Sequence, residues 1–458
     1  MTLVRNPDQL AEQLRGDLVQ PGDSEYEEAR RVYNGMIDRR PQLVVRPVDS
    51  ADVIAAVNFA REESLVLSVR GGSHGAPGFG TNDDGLVIDL SRMKGTRVDP
   101  RSRTVRAQGG CAWGDVDHAT HAFGLATPGG VDSTTGIAGL TLGGGLGHLT
   151  RRCGLSCDNL LSADVVTAAG EQVTASDKEN PDLFWALRGG GGNFGVVTSF
   201  EFRLHEVSTV YAGPILWPMD SAGDFMRFYR EFIVNAPREL NVILSFMRVP
   251  GDPFPTEIHD QVMCAAIVCY SGSMDEAEDV VRPLKQFGSP AFEQLGPMPF
   301  PALQVAFDDA ARWYMQNYWK ADFLTELTDE VIDAHLEFAP RLPTVFSGVH
   351  TFPIDGAVHD VAQHESAFSY RDANFALTIF ALNKDPANNA ANTDWVREYW
   401  NAVHPYSAGG AYVNFLMDEG EDQVQASYRG NYQRLAKIKA QYDPDNLFRM
   451  NQNIKPAQ

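Results

Sequence analysis

Cysteine is scarce in this chain of 458 residues, and long apolar runs are missing altogether. The five cysteines, Cys111, Cys153, Cys157, Cys264 and Cys269, are an odd number spread over a long sequence. That excludes a disulfide framework and reads as reduced thiols in a cytoplasmic protein. Positive charge is also in short supply: 38 Lys and Arg face 60 Asp and Glu, a formal net charge of −22. Phosphate-rich partners need clustered Lys and Arg, so nucleic acid and anionic membrane surfaces are excluded as the main partner. No run of about 18 apolar residues is present, so no membrane span is expected. Residues 1–10 have no apolar stretch after Arg5, so no secretory leader is expected there. His118-x-x-His121 and Cys153-x-x-x-Cys157 lack a second ligand pair, and no metal site is expected.

What remains is a chain 43% hydrophobic and 21% charged, a globular composition. At roughly 150 residues per domain it holds about three structural units, or two large ones. Glycine divides it: 29 of the 41 glycines fall in residues 1–200 and only 12 in the remaining 258. Glycine serves where backbone turns with positive φ or approaches a ligand closely, so the first region reads as a ligand cradle. There, strands are expected at 65–69, 86–90, 104–108, 164–168 and 196–202, with helices at 51–63 (capped by Asp49-Ser50), 112–123 and 181–187. The second region, about 205–407, carries strand patterns at 240–249, 261–270 and 375–382. Helical patterns at 223–236 and 273–287 point to a sheet covered on one face by helices. A helix over 425–441 precedes Tyr442-Asp-Pro-Asp-Asn-Leu-Phe448. Strands alternating with helices across Gly-rich turns give an α+β or α/β pattern.

Three glycine motifs bear on chemistry. Gly71-Gly-Ser-His-Gly75 matches the G-x-S-x-G elbow of serine hydrolases, with Ser73 as nucleophile, but Pro77, Gly78 and Gly80 follow where that elbow needs a helix. Gly190-Gly-Gly-Asn-Phe-Gly195 matches G-x-G-x-x-G but has its helix before it and its strand after, the reverse of a dinucleotide-binding unit. Gly143-Gly-Gly-Leu-Gly147 lacks the Lys of a P-loop. The several Gly turns together suit a large dinucleotide whose pyrophosphate is bound by backbone N–H groups. His74 stands at the tip of the first turn.

Arg70-Gly-Gly-Ser-His74, Thr127-Pro-Gly-Gly130, the glycines of 136–147, the 442–448 motif and Asn451-Gln-Asn-Ile454 resemble, in order and spacing, the berberine-bridge-enzyme-like flavin oxidoreductases of the vanillyl-alcohol-oxidase fold family. The similarity spans nearly the whole chain and is closest to the family's bacterial branch. It implies an α+β protein: a PCMH-type FAD-binding domain of two subdomains at 1–205, a substrate domain at 206–407 with an antiparallel sheet covered by helices, and a C-terminal segment, 408–458, returning to the FAD domain. It implies cofactor contacts from Arg70, Gly71, Gly72, Ser73, His74 and Gly75; from Thr127, Gly130, Asp132, Thr134, Gly136, Ile137, Gly139, Gly144 and Gly147; and from Val196, Asn451 and Asn453. His74 matches the histidine that bonds the flavin 8α carbon. Asp132 stands where many relatives have a cysteine that makes a second link, so a single covalent bond is expected. Ile137 matches a position that gates oxygen and leaves oxidase and dehydrogenase both open, with oxidase favoured.

On the substrate side the resemblance points to Ala411-Tyr-Val-Asn-Phe415. Read as a strand, it puts Tyr412 and Asn414 on one face, with Tyr412 as base or hydrogen-bond partner. Phe415 replaces a second tyrosine found in some relatives. Lys320 and His350, on expected roof strands, are further catalytic candidates, and Trp319 and Phe380 candidate walls. The expected activity is hydride removal from a C–OH or C–N carbon of a small organic molecule by FAD, with O2 as acceptor. The rivals are a flavin dehydrogenase with another acceptor, a serine hydrolase at Ser73, and a flavin carrier without turnover.

Overall fold

A computed structural model describes residues 7–308 and 313–458. Residues 1–6, part of the segment read for a leader, lie outside it. Among the described residues no helix is long and apolar enough to cross a membrane.

Two sheets build the glycine-rich half. Strands Leu43–Arg46, Leu67–Arg70 and Leu86–Asp89 run parallel, with Asp17–Val19 antiparallel at one edge. Their short sequences LVVR, LSVR and LVID are apolar enough to be covered on both faces, as parallel strands are. Helix Ser50–Glu62 packs on them, its first turn capped by the Asp49 carboxylate, which accepts from Ala51 N and Asp52 N. The second sheet is antiparallel, in the order Thr96–Asp99, Thr104–Gln108, Val196–Arg203, Leu160–Val166, Gln172–Ser176. The strand expected at 164–168 thus starts earlier, at Leu160.

The third sheet is the roof. Its central strands, in spatial order, are Thr209–Pro218, Val262–Tyr270, Leu240–Arg248, Gly348–Pro353, Phe375–Asn383 and Gln316–Leu324, all antiparallel. Helices Ala222–Asn235, Asp329–Phe338 and Asn389–Val403 bury Phe225, Tyr229, Ile332 and Tyr399 against one face. The other face looks toward the glycine-rich half. The architecture is therefore α+β, as the sequence implies.

The C-terminal segment packs into the core of the second sheet through Val424, Tyr428, Leu435 and Ile454. The helix expected over 425–441 is two helices, Glu421–Tyr428 and Tyr432–Tyr442. Arg429 adopts φ 46° and ψ −135° between them, beside Gly430, a backbone geometry that no helix continues through. The 442–448 motif has a structural job. Asp443 accepts from Leu447 N and Phe448 N at 2.7 and 2.8 Å, and from Lys439 Nζ at 2.7 Å. The same Nζ donates to Asn193 O at 2.7 Å and so ties the tail to the turn at 190–195.

Two buried guanidinium groups join the halves. Arg151 donates to both oxygens of Asp355 at 2.7 and 3.0 Å, to Ile233 O and Ala236 O at the end of helix Ala222–Asn235, and to Pro237 O and Leu240 O. Arg371 grips Asp158 with two bonds of 2.8 and 2.6 Å. Removing one member of a buried pair strands the other, so Arg151→Met is expected to cost about 3–5 kcal/mol in urea denaturation. A loss under ~1 kcal/mol would show the clasp to be decorative.

Asp117 is buried on helix Trp113–His121; among the described residues its carboxylate accepts only from Gln304 Nε2 at 3.2 Å, and its Oδ1 and Gln304 Oε1 have no donor. Burial raises its pKa from 3.8 to about 7. It takes up a proton on folding, so its contribution favours the folded state at low pH and is lost as pH climbs from about 4 to about 7. Asp117→Asn should flatten the fall in melting temperature between pH 5 and pH 8; parallel wild-type and variant profiles would contradict this.

Candidate cofactor and substrate site

A cavity of about 470 Å³ lies between the roof and the glycine-rich half. Strand Leu67–Arg70 feeds its first wall. The Arg70 guanidinium is spent beneath that wall, on Asp89 Oδ2 at 2.8 Å, Ala29 O at 2.5 Å and Arg31 O at 2.9 Å. Beyond it the chain turns through Ser73 at φ 58° and presents His74 to the cavity. The imidazole stacks on Tyr33 with centroids 4.6 Å apart and meets the edge of Trp313 at 5.5 Å. Its Nε2 lies 3.0 Å from Thr134 Oγ1 and its Nδ1 3.4 Å from Thr135 Oγ1. Burial lowers its pKa to about 4, so the ring is neutral at pH 7.

Glycines do two different things here. A Cβ on Gly72 would sit 2.3 Å from Gly136 N, and one on Gly136 would sit 2.2 Å from Gly72 N, so the two turns touch backbone to backbone. By contrast, a Cβ on Gly75, Gly139 or Gly192 meets nothing within 4 Å, although all three line the cavity and none has positive φ. Neither backbone geometry nor protein packing demands glycine at these three. What they leave is bare main chain along an open slot.

The other expected cofactor residues divide in the same way. Gly71, Ser73, Gly130, Asp132 and Asn451 line the cavity. Asn451 donates to Gly192 O and Phe448 O while its Oδ1 stays buried and unpaired, as does Ser73 Oγ. Burial, and then the nearby Asp308 carboxylate, raise Asp132 to about 7. Thr127, Ile137, Gly144, Gly147, Val196 and Asn453 are not wall residues. Ile137 is enclosed in the core at the first turn of helix Ile137–Leu142. Gly144 and Gly147 are close crossings, against Phe368 and Gly129 O respectively.

Of the catalytic candidates, Tyr412, Asn414 and His350 line the cavity and Lys320 does not. Strand alternation turns Trp319 toward the cavity and Lys320 to the opposite, helix-covered face, where its Nζ is 2.5 Å from Glu419 Oε2 and 4.3 Å from the Trp400 ring. Nor do Tyr412 and Asn414 share a strand: Val413–Phe415 is a turn of 3₁₀ helix. That turn folds Asn414 back so its Nδ2 donates to Tyr412 Oη at 2.7 Å, beside Gly145 N, also at 2.7 Å. Burial raises the Tyr412 pKa, which keeps the phenol protonated and argues for a hydrogen-bonding group over a base. His350 Nδ1 lies 2.7 Å from Ser245 Oγ, and burial lowers its pKa to about 4. Sequence reasoning missed Tyr33, Thr135, Ser245, Thr378 and His148, all near or on these walls. His148 is buried with both ring nitrogens unpaired.

The Ser73 hydrolase reading fails on geometry. No helix follows the turn, and among the described residues Ser73 Oγ has no hydrogen-bond partner to act as its base. Among the described residues no group of three or more His, Cys, Asp or Glu could hold a metal.

Comparison with known proteins speaks to the same walls. Residues 41–176 match the family described as FAD binding domain, and residues 411–455 that described as Berberine and berberine like. An FAD-linked oxidoreductase of Dictyostelium discoideum is 31% identical over 98% of this chain and 97% of its own length. The chain belongs to the berberine-bridge-enzyme-like FAD-linked oxidoreductases. Within that family, the (R)-6-hydroxynicotine oxidase of Paenarthrobacter nicotinovorans is 28% identical over 97% of both chains. The crystal structure of 6-hydroxy-D-nicotine oxidase from Arthrobacter nicotinovorans superposes with a TM-score of 0.87 at 27% identity, covering 97% of this chain and 98% of that one. The fold is thus the PCMH-type FAD-binding fold. The residues present suit FAD: three glycines leave a slot that their own fold does not need, and unpaired buried polar atoms of Ser73 and Asn451 stand on its walls.

These two glycine roles separate by mutation. Gly72→Ala should lower both stability and flavin content, because main chain must move. Gly139→Ala should melt no lower than wild type, a helical Gly→Ala change favouring the helix by up to ~1 kcal/mol, yet purify with less flavin. Full flavin occupancy in Gly139→Ala, measured by absorbance, would contradict the slot.

Proposed function

We propose that this FAD-linked oxidoreductase is an oxidase that carries its flavin on one covalent bond from His74 and takes a hydride from a C–OH or C–N carbon of a small organic molecule, with O2 as acceptor and H2O2 as product. The observation that carries the reading is His74 itself: a neutral imidazole, stacked on Tyr33, facing the slot from the tip of the first glycine turn. A neutral ring nitrogen is nucleophilic, and Nδ1, with only the longer 3.4 Å contact to Thr135, is the less committed one. Asp132 offers no thiol, so one attachment point is proposed.

Bound FAD would supply a two-electron acceptor for the substrate hydride. The substrate's O–H or N–H proton then needs a base. His350 fits that task, since it is neutral at pH 7 and already oriented by Ser245. Tyr412 and Asn414, bonded to each other and to Gly145 N and Leu140 O, fix the far wall. In this reading residues 1–205 hold the cofactor, 206–407 the substrate, and 408–458 close the cofactor side. We place the protein in the cytoplasm on its five free cysteines, four of them buried.

The test is mass spectrometry of a tryptic digest. The expected result is FAD mass on the peptide containing His74 and on no other, lost in His74→Ala. A second attachment point, or a flavin that leaves entirely on acid precipitation of wild type, would overturn the single link. Anaerobic reduction followed by mixing with O2 should restore the oxidised spectrum and release H2O2; reoxidation by quinone alone would make it a dehydrogenase.

A further inference from the structure

Five aromatic side chains of the cavity wall form a closed circuit. Trp319 meets Phe380 at 5.3 Å, Phe380 meets His350 at 5.0 Å, and His350 meets Phe352 at 5.9 Å. Phe352 then meets Phe415 at 5.6 Å, and Phe415 returns to Trp319 at 5.7 Å. All five line the cavity. Strand register explains the circuit. Ser245 pairs with His350, and His350 with Thr378, so these three form one row across the roof. The neighbouring row carries Phe380 and Trp319, and the row beyond His350 carries Phe352. The roof is therefore an apolar surface, aromatic around His350 and aliphatic at Ile243, Met247 and Ile267, crossed by a polar strip one residue wide.

That strip has spare capacity. Thr378 lines the cavity, and its buried Oγ1 has no hydrogen-bond partner among the described residues, while Ser245 and His350 already engage each other. From this we infer that the substrate is a flat aromatic or heteroaromatic molecule with a single hydroxyl or N–H edge, its ring on the aromatic circuit and its polar edge on Thr378 and His350. This rests on the oxidase reading and narrows it. Ring faces pack well against such a surface. A sugar would bring hydroxyls on nearly every carbon to a roof able to pair few of them, and each buried hydroxyl left unpaired is penalised. A quaternary ammonium would waste the strip, which offers it nothing to bond.

Calorimetric titration of the purified holoenzyme tests this with four probes: 4-ethylphenol, ethylbenzene, cellobiose and choline. The expected result is 4-ethylphenol binding about tenfold or more tighter than each of the others, since losing one buried hydrogen bond is worth about that factor. Thr378→Val, nearly isosteric, should bring 4-ethylphenol close to ethylbenzene with flavin content and melting unchanged; Ser245→Ala should weaken it less. Cellobiose or choline binding as tightly as 4-ethylphenol, no binding of 4-ethylphenol, or no effect of Thr378→Val would each overturn the inference. Flavin reduction by cellobiose would sink the substrate class and leave the oxidoreductase reading standing. Thr378-dependent phenol binding in a protein without a covalent flavin would sink the His74 link and leave the substrate class standing.

Discussion

The contact on which the site depends is the meeting of Gly72 and Gly136, two turns pressed together with no room for a side chain on either. Everything on the cofactor side is positioned from it. The first turn cannot slide, because Arg70 below it is locked to Asp89 and two carbonyls. The second cannot retreat, because Gly136 is the residue that starts helix Ile137–Leu142 and Ile137 N bonds Cys111 O. Thr134 and Thr135 are therefore delivered to the two nitrogens of His74. Gly139, one turn along the same short helix, faces the slot.

A chain with a net charge of −22 has built a wall of neutral groups. His74, His148 and His350 are each pushed down to about 4 by burial, so none carries charge at pH 7. Asp132 is pushed the other way, to about 7, where its proton is half retained. The buried carboxylates of Asp89, Asp158, Asp355 and Asp443 are each paired with an arginine or lysine, so their charge is balanced where it lies. In such surroundings every hydrogen bond gains strength, and every unpaired group costs more.

How much of this was readable beforehand follows from what each feature depends on. The glycine turns, His74 and the tail motif are local patterns, and their order along the chain carried the family and the fold. The roof was harder. Alternation sets Trp319 and Lys320 on opposite faces of one strand, but nothing in one strand says which face meets the cavity; Trp319 won it. The partnership of Ser245 with His350 spans 105 positions and exists only through strand register. Tyr33 reaches His74 from a segment with no motif at all. Tyr412 and Asn414 were found as a pair for the wrong geometric reason, since a 3₁₀ turn rather than a strand unites them. The break between the last two helices was visible in principle, at Arg429-Gly430-Asn431, but helical spacing on both sides masked it.

The guanidinium clasps of Arg151 and Arg371 bear on traffic as well as on strength. Each reaches from one half of the molecule into the other and is sealed from water, Arg151 with 1% and Arg371 with 5% of its surface exposed. A jaw-like parting of the halves would have to strip both arginines from their carboxylates at once. Traffic to the cavity is therefore expected to proceed with the two halves held together, at a fixed spacing between roof and glycine turns.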